Sequence, residues 1–191
     1  MSVFYHNIPI VVIFLKNNHI YSLFQNNFNL TKKIFSFCAI NLIVGTHVVH
    51  ASVQTCRNAP LIVTGKVVGS VTYFAEDCKK NWENQNIRLD FSYRQNIPEW
   101  AFKRAATHFL KKNIADFSDN SPLNNITELY HPVKKGDLYS LSYNQNSNTL
   151  TLSLNQKTLG AITDQKANQY FKIWFGNSPF NAKLKQQLLN P

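Results

Sequence analysis

One run of eight residues constrains this chain more than any other: Ile87-Arg88-Leu89-Asp90-Phe91-Ser92-Tyr93-Arg94 alternates apolar and polar side chains without a break. A period of two belongs to a β-strand, because successive side chains leave a strand on opposite faces. Ile87, Leu89, Phe91 and Tyr93 therefore share one face, and Arg88, Asp90, Ser92 and Arg94 the other. A strand with one apolar and one polar face suits an antiparallel sheet that packs a core on one side only.

The flanking sequence supplies its neighbours. Leu61-Ile62-Val63 and Val67 to Phe74 read as strands, with Gly65 and Gly69 marking a turn or bulge, after a polar lead-in from Ser52 to Asn58. Glu76 to Asn86 is polar and reads as a hairpin connection. Downstream, Leu138 to Tyr143, Thr149 to Leu154 and Thr158 to Ile162 form a meander whose turns are Asn144 to Asn148 and Asn155-Gln156-Lys157. Helices are expected after Asn96-Ile97-Pro98, with Ala101, Phe102, Ala105 and Phe109 on one stripe, and in short form over Pro122 to Tyr130. Two more are expected from about Asp164 to Phe175 and from Ser178-Pro179, with Ser178 as N-cap. Asp137, at the entrance to the meander, suits a turn fixed by side-chain to backbone bonds. Strands and helices fall in separate runs, so the class is α+β: an antiparallel β-sheet with helices packed on one face.

The first 51 residues do not fit that domain. Lys32 and Lys33 precede an apolar run from Ile34 to Val49 that exits on Val49-His50-Ala51. A basic start, an apolar middle and a small-residue exit describe a secretory signal peptide over residues 30–51, cleaved after Ala51. An uncleaved membrane anchor is the alternative, although the run is shorter than the ~20 apolar residues a span requires. Residues 1–29, rich in Asn, Phe, Ile, His and Tyr and without periodicity, are expected to be an untranslated or dispensable leader, with Leu30 at the initiating position. The domain is then 52–191, periplasmic or secreted. The chain as a whole has 20 Lys+Arg against 10 Asp+Glu, a net charge of +10. Cleavage removes Lys16, Lys32 and Lys33 and no acid, so +7 remains, spread in small groups such as Lys79/Lys80, Lys111/Lys112 and Lys134/Lys135. No aromatic-basic RNA motif or helix-turn-helix pattern accompanies them, which argues against nucleic acid. Solvated faces or contact with an anionic membrane surface remain. Cys56 and Cys78 stay in the domain as an even pair; an oxidising compartment favours a disulfide between them, and two free thiols are the other reading.

The C-terminal half adds a resemblance. Val133-Lys134-Lys135-Gly136-Asp137-Leu138-Tyr139, Thr151 to Asn155, Leu159-Gly160-Ala161-Ile162, Phe171-Lys172-Ile173-Trp174-Phe175-Gly176 and Pro179 to Leu189 follow in an order that resembles the bacterial chalcone isomerase-like domain. The likeness runs from about Gly65 to Pro191 and implies the open-faced β-sandwich of that family. Gln156 stands where the family usually has glycine, and no arginine lies between Arg57 and Arg88, where plant chalcone isomerases carry a reactive one on the first long hairpin. Ring closure on an enone requires groups that stabilise a developing enolate, so this departure weighs against it. Non-catalytic relatives enclose a fatty acid and grip its carboxylate with Arg and Tyr. The resemblance thus implies an exported, non-catalytic protein that binds a fatty acid or other small amphiphile. A chalcone isomerase-type lyase on a phenolic enone is the first alternative, and a membrane-associated structural protein without ligand the second.

Candidate ligand-binding residues are Arg88 and Arg94, whose guanidinium forks match a carboxylate, with Tyr93 and Trp100 beside them. The competing reading puts Arg88 and Arg94 on a solvated sheet face, one of them paired with Asp90, and makes Tyr93 and Trp100 core. His108 and His131 are the only histidines of 52–191 and lack a carboxylate pattern, so no metal and no cofactor are expected. The sequence leaves the oligomeric state open.

Overall fold

In the computed structural model, which describes residues 52–190, the alternating strand sits inside a six-stranded antiparallel sheet in the order β1-β2-β3-β4-β5-β6. The strands are β1 (Gln54–Val63), β2 (Lys66–Ala75), β3 (Ile87–Tyr93), β4 (Leu138–Asn144), β5 (Thr149–Leu154) and β6 (Lys157–Thr163). The leader and signal-peptide expectations fall outside the described residues. Ile87, Leu89, Phe91 and Tyr93 are buried as the alternation requires, and Tyr139, Leu141 and Tyr143 of β4 continue the same apolar face across the register Phe91↔Tyr139 and Leu89↔Leu141.

Helices α1 (Glu99–Asn113), α2 (Pro122–Glu128), α3 (Lys172–Phe175) and α4 (Ala182–Leu189) accompany the sheet. They cover its apolar face through aromatic contacts: Phe102 of α1 meets Tyr93 and Tyr139, Trp174 of α3 meets Phe91, and Phe175 meets Tyr73. This is the α+β, one-faced arrangement that the strand pattern implies.

Three local expectations are corrected. The segment from Ser52 to Asn58 is no lead-in: β1 starts at Gln54 and pairs with Ala75, its register shifting between Thr55 and Arg57. Its polar residues are exposed on the edge of the described sheet, where no apolar alternation is needed. The helix expected over Asp164 to Phe175 is a 3-10 turn (Ala167–Phe171) running into the single turn of α3, yet Ala167, Tyr170, Phe171 and Trp174 are buried as the stripe required. The last helix starts later than Ser178: Asn181 is its N-cap and accepts from Leu184 N at 3.0 Å. Ser178 is held instead by Asn113, whose side-chain amide both accepts from Ser178 N and donates to Ser178 O at 2.8 Å. In α1 the cap position is Pro98, with no side-chain cap bond.

Two connections shape the ends of the sheet. Between β2 and β3 the fully buried Gln85 holds the loop from inside, accepting from Asp77 N at 2.8 Å and donating to the carbonyls of Asp77 and Lys80 at 3.0 Å. Cys56 of β1 is disulfide-bonded to Cys78 of that loop. Before β4, Asp137 accepts from Lys134 N at 2.7 Å and from Asn155 Nδ2 at 2.9 Å. These hydrogen bonds, that from Lys134 foremost, hold its carboxyl below the usual range.

The Asn155-Gln156 turn between β5 and β6 has φ of 50° and 67°. Two left-handed residues make the hairpin turn that matches strand twist, but a side chain there costs ~1–2 kcal/mol, which glycine avoids. Gln156→Gly is therefore expected to raise the unfolding free energy by about 1 kcal/mol in urea denaturation. An unchanged or lower midpoint would show that Gln156 carries no such strain.

Candidate functional site

Small residues on one helix face open the site. Ala101, Ala105 and Ala106 of α1 point at the sheet between Phe102 and the strands, and where larger side chains would close the gap a cavity of about 330 Å³ remains. The sheet contributes Leu61, Val63, Val68, Phe91, Leu141 and Leu152 to its walls, and Ile173, Trp174 and Phe180 close another side. Exposed Gln95 and Asn96, in the connection from β3 to α1, line its solvent end.

Three tyrosines bring the polar atoms. Phe102 is their hub, stacked on Tyr130 at 5.3 Å and edge-on to Tyr139 at 5.5 Å and Tyr93 at 5.6 Å. The Tyr139 hydroxyl is fully engaged, accepting from His131 N at 2.8 Å and donating to His131 O at 3.0 Å. The Tyr170 hydroxyl meets Thr127 Oγ1 at 3.0 Å. Tyr93 is 5% exposed, and its hydroxyl has no hydrogen-bond partner among the described residues. Burial, and then the neighbouring Tyr139, push its phenol far above the usual range, so it stays a neutral O–H. Tyr130 is held neutral in the same way, burial first. No Arg, Lys, His, Asp or Glu lines the cavity among the described residues. An unpartnered hydroxyl in an apolar chamber can orient a ligand that offers one oxygen and otherwise only hydrocarbon.

The four sequence candidates do not gather there. Tyr93 lines the cavity. Arg88 projects from the opposite face of the sheet, where its Nε lies 3.1 Å from Asp90 Oδ1 without hydrogen-bond alignment and its guanidinium lies 3.9 Å over the Phe74 ring. Arg94 is exposed and outside the cavity wall. Trp100, 64% exposed in the first turn of α1, is also outside it. Sequence reasoning passed over Gln95, Asn96, Phe102, Tyr130 and Tyr139 as site residues. The available signal was the alanine spacing on α1, three small residues on the stripe that faces the sheet.

Residues 74–190 match the chalcone isomerase-like family, beginning later than the likeness read from Gly65. Among the 35 solved chains that match in structure is a fatty-acid binding protein of Arabidopsis thaliana, at a TM-score of 0.53 and 14% identity, over 73% of this chain and 85% of that one. No curated protein sequence matches this chain. The six-stranded antiparallel sheet, the helices on its apolar face and the match over more than half the length lead to one conclusion: the chain belongs to the chalcone isomerase-like family.

Proposed function

We propose that the protein is an exported, non-catalytic carrier of a small amphiphile, a fatty acid or a molecule like it, whose apolar tail fills the cavity under α1. The observation that carries this reading is an apolar chamber of about 330 Å³ whose wall includes Tyr93, a side chain without a hydrogen bond to the described residues. That volume lies at the small end of the ~300–1,000 Å³ of ligand sites, which suits one chain rather than a bulky lipid. The solved relative named as a fatty-acid binding protein supports the ligand class.

The lining refines how such a ligand is held. A carboxylate inside the chamber would be stripped of water with no cation beside it, at high cost. The head group therefore rests at the solvent end near Gln95 and Asn96, or enters uncharged to meet Tyr93. Arg88 and Arg94 are not needed in this reading. Export is supported by the basic-apolar-small pattern of residues 30–51 and by the Cys56–Cys78 disulfide, a bond that persists in oxidising compartments. The isomerase alternative has no cation at the cavity among the described residues to steady an enolate, and it rests on the fold alone.

Native mass spectrometry of the purified protein is expected to find a co-purifying acyl species. Ala105→Phe, which fills the chamber from α1, is expected to weaken binding of a fluorescent fatty acid at least about tenfold while the melting temperature holds. Tyr93→Phe is expected to weaken it by roughly fivefold, the worth of one hydrogen bond. Equal binding by wild type and Ala105→Phe would place the ligand elsewhere and overturn the reading.

A further inference from the structure

A second cavity, of about 810 Å³, lies at another part of the helical layer, and its walls differ in kind from the first. Arg57 of β1, Lys79 and Lys80 of the β2–β3 connection and Lys185 of α4 all line it, and no carboxylate does. The pairing of β1 with β2, which sets Arg57 opposite Tyr73, and the Cys56–Cys78 disulfide together bring Arg57 near Lys79 and Lys80, which stand 22 residues and more along the chain. Lys185 is anchored, donating from Nζ to Gly176 O at 2.9 Å. Among the described residues none of these four makes an ion pair, whereas Lys103, Lys111 and Lys166 each do.

Between the cations the wall is apolar and aromatic: Trp82, Phe175, Leu188 and Leu189. Trp82 is fixed against Phe175 at 5.5 Å and Phe171 at 6.4 Å. Tyr73, 2% exposed, also reaches the cavity, and its hydroxyl has no hydrogen-bond partner among the described residues. Four basic side chains around one cavity with no carboxylate in its lining favour an anion there. A free inorganic anion would use the cations and leave the hydrocarbon wall idle.

We infer that this cavity seats the phosphate group of an anionic lipid, with Arg57, Lys79, Lys80 and Lys185 around the phosphate and Trp82, Phe175, Leu188 and Leu189 against the first carbons of the lipid. The arginine fork and the Tyr73 hydroxyl are donors that a phosphate with several acceptor oxygens can satisfy together. The site is separate from the chamber under α1: α3 stands between them, with Ile173 and Trp174 facing one cavity and Phe175 the other.

The test compares binding of the protein to phosphatidylcholine vesicles with and without phosphatidylglycerol, by co-sedimentation. One basic side chain near an anionic surface is worth about a fivefold factor in affinity. The triple variant Arg57→Gln/Lys79→Gln/Lys80→Gln is therefore expected to bind phosphatidylglycerol vesicles about a hundredfold more weakly. The control Lys112→Gln/Lys134→Gln/Lys135→Gln removes the same charge from exposed positions elsewhere and is expected to lose less than about fivefold. Matching circular dichroism melts for both variants exclude unfolding as the cause. Equal losses in the two variants would mean that charge acts diffusely, and wild type that ignores phosphatidylglycerol would mean no lipid site; either overturns the proposal. Inorganic phosphate, titrated without vesicles at constant ionic strength, separates the sources. No saturation at millimolar phosphate supports a lipid phosphate, and saturable binding there identifies a free-anion site and overturns the lipid assignment.

Discussion

Phe171→Ala is expected to lower the unfolding free energy by about 3–5 kcal/mol. Phe171 is 0% exposed and belongs to the 3-10 turn that leads into α3. Its ring centroid lies 6.4 Å from those of Trp82 and Trp174 and 6.5 Å from that of Phe175, so one side chain ties the β2–β3 connection to the helical layer. Truncation removes the transfer free energy of a whole ring and leaves a void among large, rigid neighbours that cannot close over it. A urea titration followed by far-ultraviolet circular dichroism measures the change. A loss below about 1 kcal/mol would mean that the aromatic wall is loosely packed, contrary to its complete burial.

Breaking the disulfide is the second large effect. Cys56 and Cys78 are 22 residues apart, and constraint of a loop of that length in the unfolded chain is worth about 3 kcal/mol. The double variant Cys56→Ser/Cys78→Ser, or wild type in reductant, is expected to melt roughly 10 °C lower in a domain of this size. Calorimetry with and without reductant checks it, and the serine variant should be indifferent to reductant. A wild-type melt that does not move when thiol titration confirms reduction would show that the unfolded chain gains little freedom from losing the link. Loss of the bond also removes one of the two links, beside the β1–β2 ladder, that hold Lys79 and Lys80 near Arg57, so affinity for anionic vesicles should fall with it.

The fold was legible where side-chain periodicity carried it and hidden where tertiary contacts did. Ile87 to Tyr93 needs no partner to declare a strand, because each apolar residue in it is buried on one face. β1 escaped notice over Gln54 to Asn58, since an edge strand with exposed side chains has no alternation to show. The start of α4 was misplaced because Ser178, a good cap by residue type, is occupied by Asn113 from a distant helix, and no local signal announces that bond. The Arg88–Asp90 pair illustrates the same division. Spacing along a strand puts the two on one face, but only the sheet shows that this face is turned away from the cavity. The site was the least legible part. A residue that lines a chamber and one that packs solid core are chemically alike, and the difference lies in the volume that Ala101, Ala105 and Ala106 leave unfilled.

The strand order has a kinetic consequence. In the described sheet each strand pairs with its neighbour in sequence, from β1 through β6, so four of the five pairings close over short turns or the brief β2–β3 connection. Only β3 and β4 are separated by a long insertion, the one that carries α1 and α2. Chains whose contacts are local fold faster than those that must first close long loops. The hairpins β1–β2 and β4–β5–β6 can therefore zip early, each on its own. Docking β4 onto β3 is then the entropically costly event, and it is the same event that brings Tyr139 up to Tyr93 and closes the chamber under Phe102.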